Sequence, residues 1–369
     1  MLVLGEVLRA QYDVMQWIWF IIILFIISMV NQRLQTYIWI TDIKMKLDTI
    51  NAIVKQDKAR VRSSLANLGV KTPELLVERV SEFFTISPVE IEPVDIIKRL
   101  DHLIRTSDET VRKLVETYVP GLGKHERSIL ETSLAIVGAL NQIYKIVRHY
   151  VILGEKEKNW VLIMQLYLQM PTIMKYVYIY HEALDAFMTG KPIGDGAGPL
   201  VAYHIVKNGK VLSRRVVEDT SIYEVMWRDR RVFVIKAEGP GSNVGRPGRV
   251  LADLVESLKA GVNLVITIDA ALKLEGEETG SLAEGVGAAI GDPGPEKIAI
   301  ERATSKYNIP LRALVVKMDL REAITPMPKQ VFEACERAYR YIEKIVEEFS
   351  KPNDTVIIAG IGNSIGIAG

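Results

Sequence analysis

The chain has 369 residues, of which 49% are apolar and 25% are charged, and its formal net charge is +1. This length is sufficient for two domains, and the apolar content excludes a disordered chain. The balanced charge argues against a nucleic-acid partner, because proteins that bind phosphate backbones carry a large basic excess. With Cys335 as its single cysteine, one chain can form neither a disulfide nor a cysteine-based zinc site.

An apolar run near the N-terminus predicts a membrane anchor. Residues 14–30 read VMQWIWFIIILFIISMV, which as a helix spans about 26 Å. Trp17, Trp19 and Trp39 lie near the ends of the run, as tryptophans do at membrane interfaces. A signal peptide and a buried core helix are the alternatives, but no small-x-small cleavage site follows the run and its centre has no polar residue. We predict a short external tail at residues 1–13 and a transmembrane anchor at residues 14–35.

Basic residues around the anchor predict its orientation. Arg33, Lys44 and Lys46 follow the run, with four more Lys or Arg residues between positions 55 and 62, whereas only Arg9 precedes it. Cytoplasmic flanks of membrane helices are enriched in Lys and Arg. We therefore predict a single-pass protein of the cell membrane with its N-terminus outside and its main body in the cytoplasm.

The spacing of apolar residues in the next region, residues 36–189, predicts an all-helical domain. Apolar residues recur at three- and four-residue steps, first at Ile43, Leu47, Ile50 and Val54, so the first helix should continue out of the membrane. Further apolar stripes cover residues 75–84, 94–104, 111–118, 129–151 and 160–187. The last stripe is rich in Met and Tyr, which favours either an adaptable contact surface or helix packing, including packing in a homo-oligomer. We predict a homo-oligomer.

After Gly190 the pattern changes to alternating strands and helices. Short β-branched runs cover residues 232–236, 264–268, 314–318 and 356–359, with helical patterns at 250–258 and 326–349. This alternation predicts a C-terminal α/β domain, residues 190–369, with a mainly parallel sheet. Such sheets bind ligands beyond the carboxyl ends of their strands, where this chain concentrates glycine and acidic residues.

Acidic residues next to glycine-rich turns predict a metal site. Asp195 stands before a predicted helix, and Asp269 ends the strand at 264–268. Together with a glutamate from the turns that follow Asp269, they could bind a hard divalent cation through oxygen atoms. Such a cation lowers the pKa of a bound water and polarises a carbonyl group. The alternative is a helix cap at Asp195 beside a solvated acidic loop.

A second glycine-rich turn lies between a strand and a helix. Its backbone amides at Gly239, Gly241 and Gly245, with the charge of Arg246, could hold a phosphate, which would make the domain a phosphate- or nucleotide-binding module. The spacing of the glycines departs from the dinucleotide-binding fingerprint and two prolines interrupt it. A rigid turn is the alternative.

The last half of the chain resembles the hydrogenase-maturation and spore-germination endopeptidases. Asp195–Gly198 and Ile268–Ala270 resemble the segments that carry the first and second acidic ligands, and Ile358–Asn363 resembles the strand that opens those enzymes. Here that strand comes last, so the resemblance implies a circularly permuted, phosphorylase/hydrolase-like domain. A permuted domain requires the loop at 190–195 and the end of the chain at Gly369 to be close in space.

The resemblance also implies roles for single residues. Asp195 and Asp269 would be metal ligands and catalytic residues, and Asn363 would help to position the reaction intermediate. Where the maturation enzymes have a metal-binding histidine, this sequence has Glu284, which implies Mg, Mn or Ca rather than Ni or Zn. Loss of catalysis is the alternative, and His204 is a further candidate ligand.

The whole chain is similar to an uncharacterised archaeal family of membrane-anchored proteins. That similarity implies the same architecture and an archaeal origin, but no reaction. Our leading hypothesis is a membrane-anchored cytoplasmic protein with a metal-dependent hydrolase domain that acts on a peptide or protein. The alternatives are a non-catalytic homo-oligomeric membrane scaffold and the phosphate- or nucleotide-binding module.

Overall fold

A computed structural model describes residues 2–86, 88, 95–291 and 294–369, except for the side chains of residues 2–14 and 260. The predicted stripe at 94–104 begins at Val94, which lies outside the described residues. The chain divides into two compact units, Met1–Gln56 with Leu140–Val177, and Asp57–Ala139 with Tyr178–Gly369.

The N-terminal region is helical, as predicted. Its helices are α1 (Leu2–Asn67), α2 (Pro73–Ser81), α3 (Ile96–Tyr118), α4 (Lys124–Lys156) and α5 (Trp160–Met188). The prediction that the first helix continues past the apolar run is confirmed, because α1 runs through it without a break.

The apolar part of α1 is long enough to cross a membrane. The most apolar 18-residue stretch of α1 beyond Met15 contains no buried residue. Side chains such as Trp17 and Phe25 are more than half exposed. Length and composition therefore allow a membrane span, which is weak support for the predicted anchor. The orientation of that anchor stays a prediction.

The Met- and Tyr-rich helix α5 divides its side chains between two faces. Met170 and Met174 are buried, whereas Tyr176 and Tyr178 are exposed. The ring of Tyr167 stacks on that of Trp39 on α1, with the ring centroids 5.8 Å apart. Met170 and Met174 therefore serve packing within the chain, whereas Tyr176 and Tyr178 form exposed surface.

The C-terminal region is an α/β domain. Its helices are α6 (Ala197–Asn208), α7 (Pro247–Leu258), α8 (Pro295–Lys306), α9 (Leu320–Ile324) and α10 (Lys329–Phe349). Its strands are β1 (Lys210–Val217), β2 (Thr220–Trp227), β3 (Arg230–Ala237), β4 (Leu264–Leu272), β5 (Leu282–Val286), β6 (Leu311–Met318) and β7 (Thr355–Gly360).

The strands form one mixed sheet in the order β1-β2-β3-β7-β4-β6-β5. The four predicted strands are its parallel centre, β3-β7-β4-β6, but the expectation of a mainly parallel sheet is corrected: β1 and β2 add an antiparallel ribbon and β5 pairs antiparallel with β6. The sequence did not reveal β1 because every residue of it is exposed. The tight turns of the ribbon use Glu218–Asp219 and Arg228–Asp229 at positive φ, without the glycine that usually signals such turns.

The sheet is covered on both faces. Alternate strand residues point to opposite faces, so Val234 and Ile266 belong to the core that includes α6 and α10, whereas Ile235 and Val265 belong to the core that includes α7 and α8. Burial on both faces explains why these strands read as continuous apolar runs. Cys335 is buried in the first of these cores.

Gly198 lets α6 lie directly on the backbone of the central strands. A Cβ atom at this position would overlap the carbonyl oxygens of Ile361 and Ile268, which follow β7 and lie within β4. Backbone atoms cannot move aside as a flexible side chain does. The first turn of α6 is therefore fixed close to the carboxyl ends of β7 and β4.

Replacing Gly198 by Ala should destabilise the domain. We expect Gly198→Ala to lower the free energy of unfolding by about 1–3 kcal/mol, because the added methyl group overpacks against backbone. Urea unfolding of the detergent-solubilised chain measures this. The control is Gly285→Ala on β5, where no atom lies within 4 Å of the added Cβ; equal effects of the two substitutions would contradict the packing described.

Candidate functional site

Asp195 lies in a three-residue 3-10 helix, Gly194–Gly196, that leads into α6. Its carboxylate accepts a hydrogen bond of 2.8 Å from the backbone N–H of Asn363. Gly196, and not Asp195, is the N-cap of α6, and no side chain caps that helix. The carboxylate is therefore used to bind the segment after β7 rather than to cap a helix.

Asp269 lies in β4, near its carboxyl end, and its side chain is only 5% exposed. The carboxylate accepts hydrogen bonds from the backbone N–H groups of Ala270, at 2.7 Å, and Gly291. Burial first, and the negative charge of Asp195 second, raise the pKa of Asp269 to about 8, against the opposing effect of the Ala270 and Gly291 amides. Asp269 is therefore mostly protonated at neutral pH.

Asp195 and Asp269 form a carboxyl pair in the sense that the charge of Asp195 acts on Asp269. Burial also raises the pKa of Asp195, against the opposing effect of the Asn363 amide. A second negative charge in a poorly solvated site is unfavourable, which favours the protonated form of Asp269 while Asp195 is charged. Carboxylates with pKa values perturbed in this way are typical of functional sites.

The segment after β7 connects this pair to the second glycine-rich turn. The Asn363 amide nitrogen Nδ2 donates to the Ser242 hydroxyl at 3.1 Å, and the Ser364 hydroxyl donates to the carbonyl of Glu238 at 2.8 Å. The backbone N–H of Ser364 donates to the carbonyl of Asn243 at 2.9 Å. Asp195, Asn363 and the turn at 239–243 are thus parts of one hydrogen-bonded site.

The segment after β7 also lies beside the loop at 190–195. At Gly366 a Cβ atom would overlap Pro192 and the carbonyl oxygen of Gly190, whereas Gly369 itself lies against Gly239. The permutation hypothesis named Gly369 as the neighbour of that loop, and it stays a prediction.

Helix α4 contributes two hydroxyl groups that the sequence did not reveal. Ser128 Oγ accepts a hydrogen bond of 3.0 Å from the backbone N–H of Ser242, and Thr132 Oγ1 lies 2.8 Å from Ser242 Oγ. These contacts fix the turn that holds Asn363. The signal in the sequence was a pair of hydroxyl residues four positions apart, and such pairs are too common in helices to single out.

Glu284 lies apart from the carboxyl pair. It is on β5, where it pairs with Arg312 at 2.9 Å and accepts a hydrogen bond of 3.0 Å from the hydroxyl of Tyr341. The bond to Arg312 lowers the pKa of Glu284. In the part of the chain that the structure describes, no three His, Cys, Asp or Glu side chains form a group that could hold a metal ion.

His204 is not part of the site either. Its ring lies 6.2 Å from the ring of Tyr339 on α10 and 6.3 Å from that of Tyr203, and burial lowers its pKa. The structure therefore brings together Asp195, Asp269 and Asn363 of the predicted site residues.

The groups proposed to hold a phosphate have partners within the protein. Gly239 packs against the backbone of Ile367, and Gly241 and Gly245 are equally enclosed. At the N-terminus of α7 the carboxylate of Glu296 accepts from the N–H of Arg249 at 2.9 Å, and Arg246 pairs with Asp108 at 2.8 Å. A carboxylate therefore occupies the anion-binding end of the helix, which weighs against a phosphate there.

Comparisons with known proteins give a family and no activity. A family model described as "Protein of unknown function (DUF1512) N-terminal domain" matches residues 17–190, and one described as "Domain of unknown function (DUF1512) C-terminal" matches residues 193–368. No curated protein matches the chain. One solved structure is similar, the crystal structure of a proteasome-assembly chaperone homologue from Mycobacterium tuberculosis, with 14% sequence identity. The match covers 42% of this chain and 81% of that chain, and its TM-score of 0.28 is too low to establish a shared fold.

The pKa of Asp269 predicts how stability depends on pH. Because this pKa is about 8 in the folded protein and about 3.9 in an unfolded chain, the folded state binds more protons between these values. The free energy of unfolding should therefore fall as pH rises through that window. In Asp269→Asn the fall should become shallower, by up to about 1.4 kcal/mol per pH unit.

Urea unfolding at a series of pH values measures this slope. The control is Asp253→Asn, because Asp253 is exposed on α7, and it should leave the slope unchanged. An unchanged slope in Asp269→Asn would show that Asp269 does not hold its proton in the folded protein.

Proposed function

The chain belongs to the DUF1512 family, whose domain models match residues 17–190 and 193–368, and we propose that it is a membrane-anchored hydrolase whose reacting groups are the carboxyl groups of Asp195 and Asp269. The observation that carries this proposal is the placement of two carboxyl groups at the carboxyl ends of neighbouring parallel strands: Asp269 is buried in β4, and the half-buried Asp195 accepts from Asn363 after β7. Open α/β sheets bind their ligands at that edge.

The pair has the properties that acid–base chemistry requires. Asp269, with a pKa of about 8, keeps a proton at neutral pH, and Asp195 is more exposed than Asp269. A carboxyl pair that shares one proton can donate a proton in one step and accept one in another. Backbone amides of Asn363 and Ala270 hold the two carboxyl groups in place.

The donor set also fits a hard divalent cation. The two carboxylates supply only oxygen atoms, and Mg²⁺ is commonly bound by one or two carboxylates while it keeps several waters. A bound cation would replace the shared proton and remove the repulsion between the carboxylates. When bound there, such a cation would activate a water molecule and polarise a carbonyl group. Glu284 is not needed in this arrangement.

Amide hydrolysis is the reaction that the resemblance to the maturation and germination endopeptidases supports. In this chain β7 lies between β3 and β4, and the segment after β7 is bonded to the turn that opens α6. In this proposal the strand, loop and acidic helix start of those enzymes correspond to β7, the segment after it and the turn that carries Asp195, which are neighbours in space and not in chain order. We propose a circularly permuted peptidase-like domain that acts on a peptide or protein substrate.

Four other predictions lie outside this proposal. Self-association stays a prediction, for which the exposed Tyr176 and Tyr178 are available surface. Phosphate or nucleotide binding is not favoured, because Glu296 and Asp108 occupy the groups it would use. An archaeal origin and a cytoplasmic main body also stay predictions.

Cation binding is the first test. Mg²⁺ or Mn²⁺ should raise the thermal unfolding midpoint of the detergent-solubilised full chain, because a ligand that binds only the folded state stabilises it. Asp195→Asn and Asp269→Asn should each abolish the shift. Glu284→Gln should keep it, since Glu284 is bonded to Arg312 instead. A shift that survives both Asp substitutions, or that Glu284→Gln removes, would place the cation elsewhere.

Hydrolysis is the second test. In lipid nanodiscs with Mn²⁺ present, the full chain should cleave members of a peptide library, as measured by mass spectrometry. Asp195→Asn should reduce the rate by about 10²-fold or more, the usual contribution of an acid–base group, and Glu284→Gln should not. Cation binding without cleavage would leave a binding domain and reject the hydrolase.

A further inference from the structure

The tip of the α4–α5 hairpin exposes an unusual set of side chains. This hairpin tip, residues 152–161, includes Ile152, Trp160 and Val161, with exposures of 50%, 41% and 39%. Exposed Lys156, Glu157 and Lys158 lie between them, and Glu155 is paired with Lys44. The tip therefore combines large apolar side chains with flexible charged ones, two lysines among them, in water-accessible positions.

Contacts with α1 place the hairpin tip close to the anchor within its own unit. Glu155 forms an ion pair of 2.6 Å with Lys44, and Tyr167 stacks on Trp39. Lys44 and Trp39 lie one to three helical turns beyond the end of the predicted anchor at residue 35.

The direction of α5 shows which of its ends is nearer the anchor. His181 pairs with Asp57 at 2.8 Å and Asp185 pairs with Arg60, so α5 runs parallel to the continuous helix α1. Trp160 precedes Tyr167 by seven residues, which is about 10 Å along the helix toward the N-terminal end of α1. Since Tyr167 contacts both Trp39 and Lys46, Trp160 lies level with about residues 32–39, within about one helical turn of the end of the predicted anchor at residue 35.

The surroundings at that level select the partner. The apolar side chains of α1 up to Val30 are exposed in the folded chain, so the surface near Trp160 is continuous with one that a bilayer would cover. Tryptophan rings favour the boundary between lipid headgroups and acyl chains, and lysines there extend toward the water. A second copy of the chain would need no such combination of Trp and Lys.

We infer that the hairpin tip lies in the headgroup region of the membrane that α1 spans, so that the chain contacts lipid through both the anchor and this hairpin. The inference depends on the anchor and is independent of hydrolysis. Its consequence is that α5 stands at a fixed depth and does not swing freely on α1.

Fluorescence quenching in nanodiscs of phosphatidylcholine and phosphatidylglycerol tests this inference. An environment-sensitive dye is attached to the full chain through Val161→Cys, Tyr176→Cys or Val30→Cys, and the quencher is a lipid with a nitroxide on its acyl chain. Tyr176 is the matched control, because it is as exposed as Val161 but lies fifteen residues, or about 22 Å, farther along α5. Native Cys335 is buried and its pKa is raised to about 12, so the unsubstituted chain is the blank.

We expect quenching at positions 30 and 161 that is several-fold stronger than at position 176. Equal quenching at 161 and 176 would overturn the inference. A blue-shifted dye at 161 without quenching would also overturn it, since protein rather than lipid would then cover the tip. Absence of quenching at 30 would reject the anchor and the inference together, while leaving the hydrolase tests unaffected.

Discussion

The α/β domain depends on backbone packing between glycine-rich segments at the carboxyl ends of its central strands. A side chain at Gly198 would overlap the carbonyls of Ile361 and Ile268, and a side chain at Gly239 would overlap that of Ile367. Because glycine has no Cβ, these segments approach as closely as backbones can. Gly362 likewise lies against the backbone of Asp195, next to the hydrogen bond that Asp195 accepts from Asn363.

The same packing produces the electrostatics of the site. It removes water from Asp269 and places the charge of Asp195 nearby, so the pKa of Asp269 rises to about 8. Apolar residues in these two positions would pack without that penalty. This unfavourable contribution to stability is the physical basis of the proposal that the pair transfers a proton or binds a cation.

The supporting groups come from remote parts of the chain. Ser128 and Thr132 on α4 bind Ser242 more than a hundred residues later, and Ser242 binds Asn363 a further hundred residues on. Such pairs leave no trace in local sequence, and for that reason they were missed. The same limit explains Glu284, which spacing placed near Asp269 but which pairs with Arg312 on the neighbouring strand.

The sequence by itself determined the helical region, the apolar helix, and the four central strands, because period and burial on both faces are local properties of a segment. It also indicated Asp195, Asp269 and Asn363, since each stands beside glycine or at a strand end. Only the tertiary structure decided that the sheet is mixed, that Glu284 lies apart and that α4 supports the site. Those outcomes depend on which distant residues meet, and contacts between distant segments are fixed by packing of the whole domain.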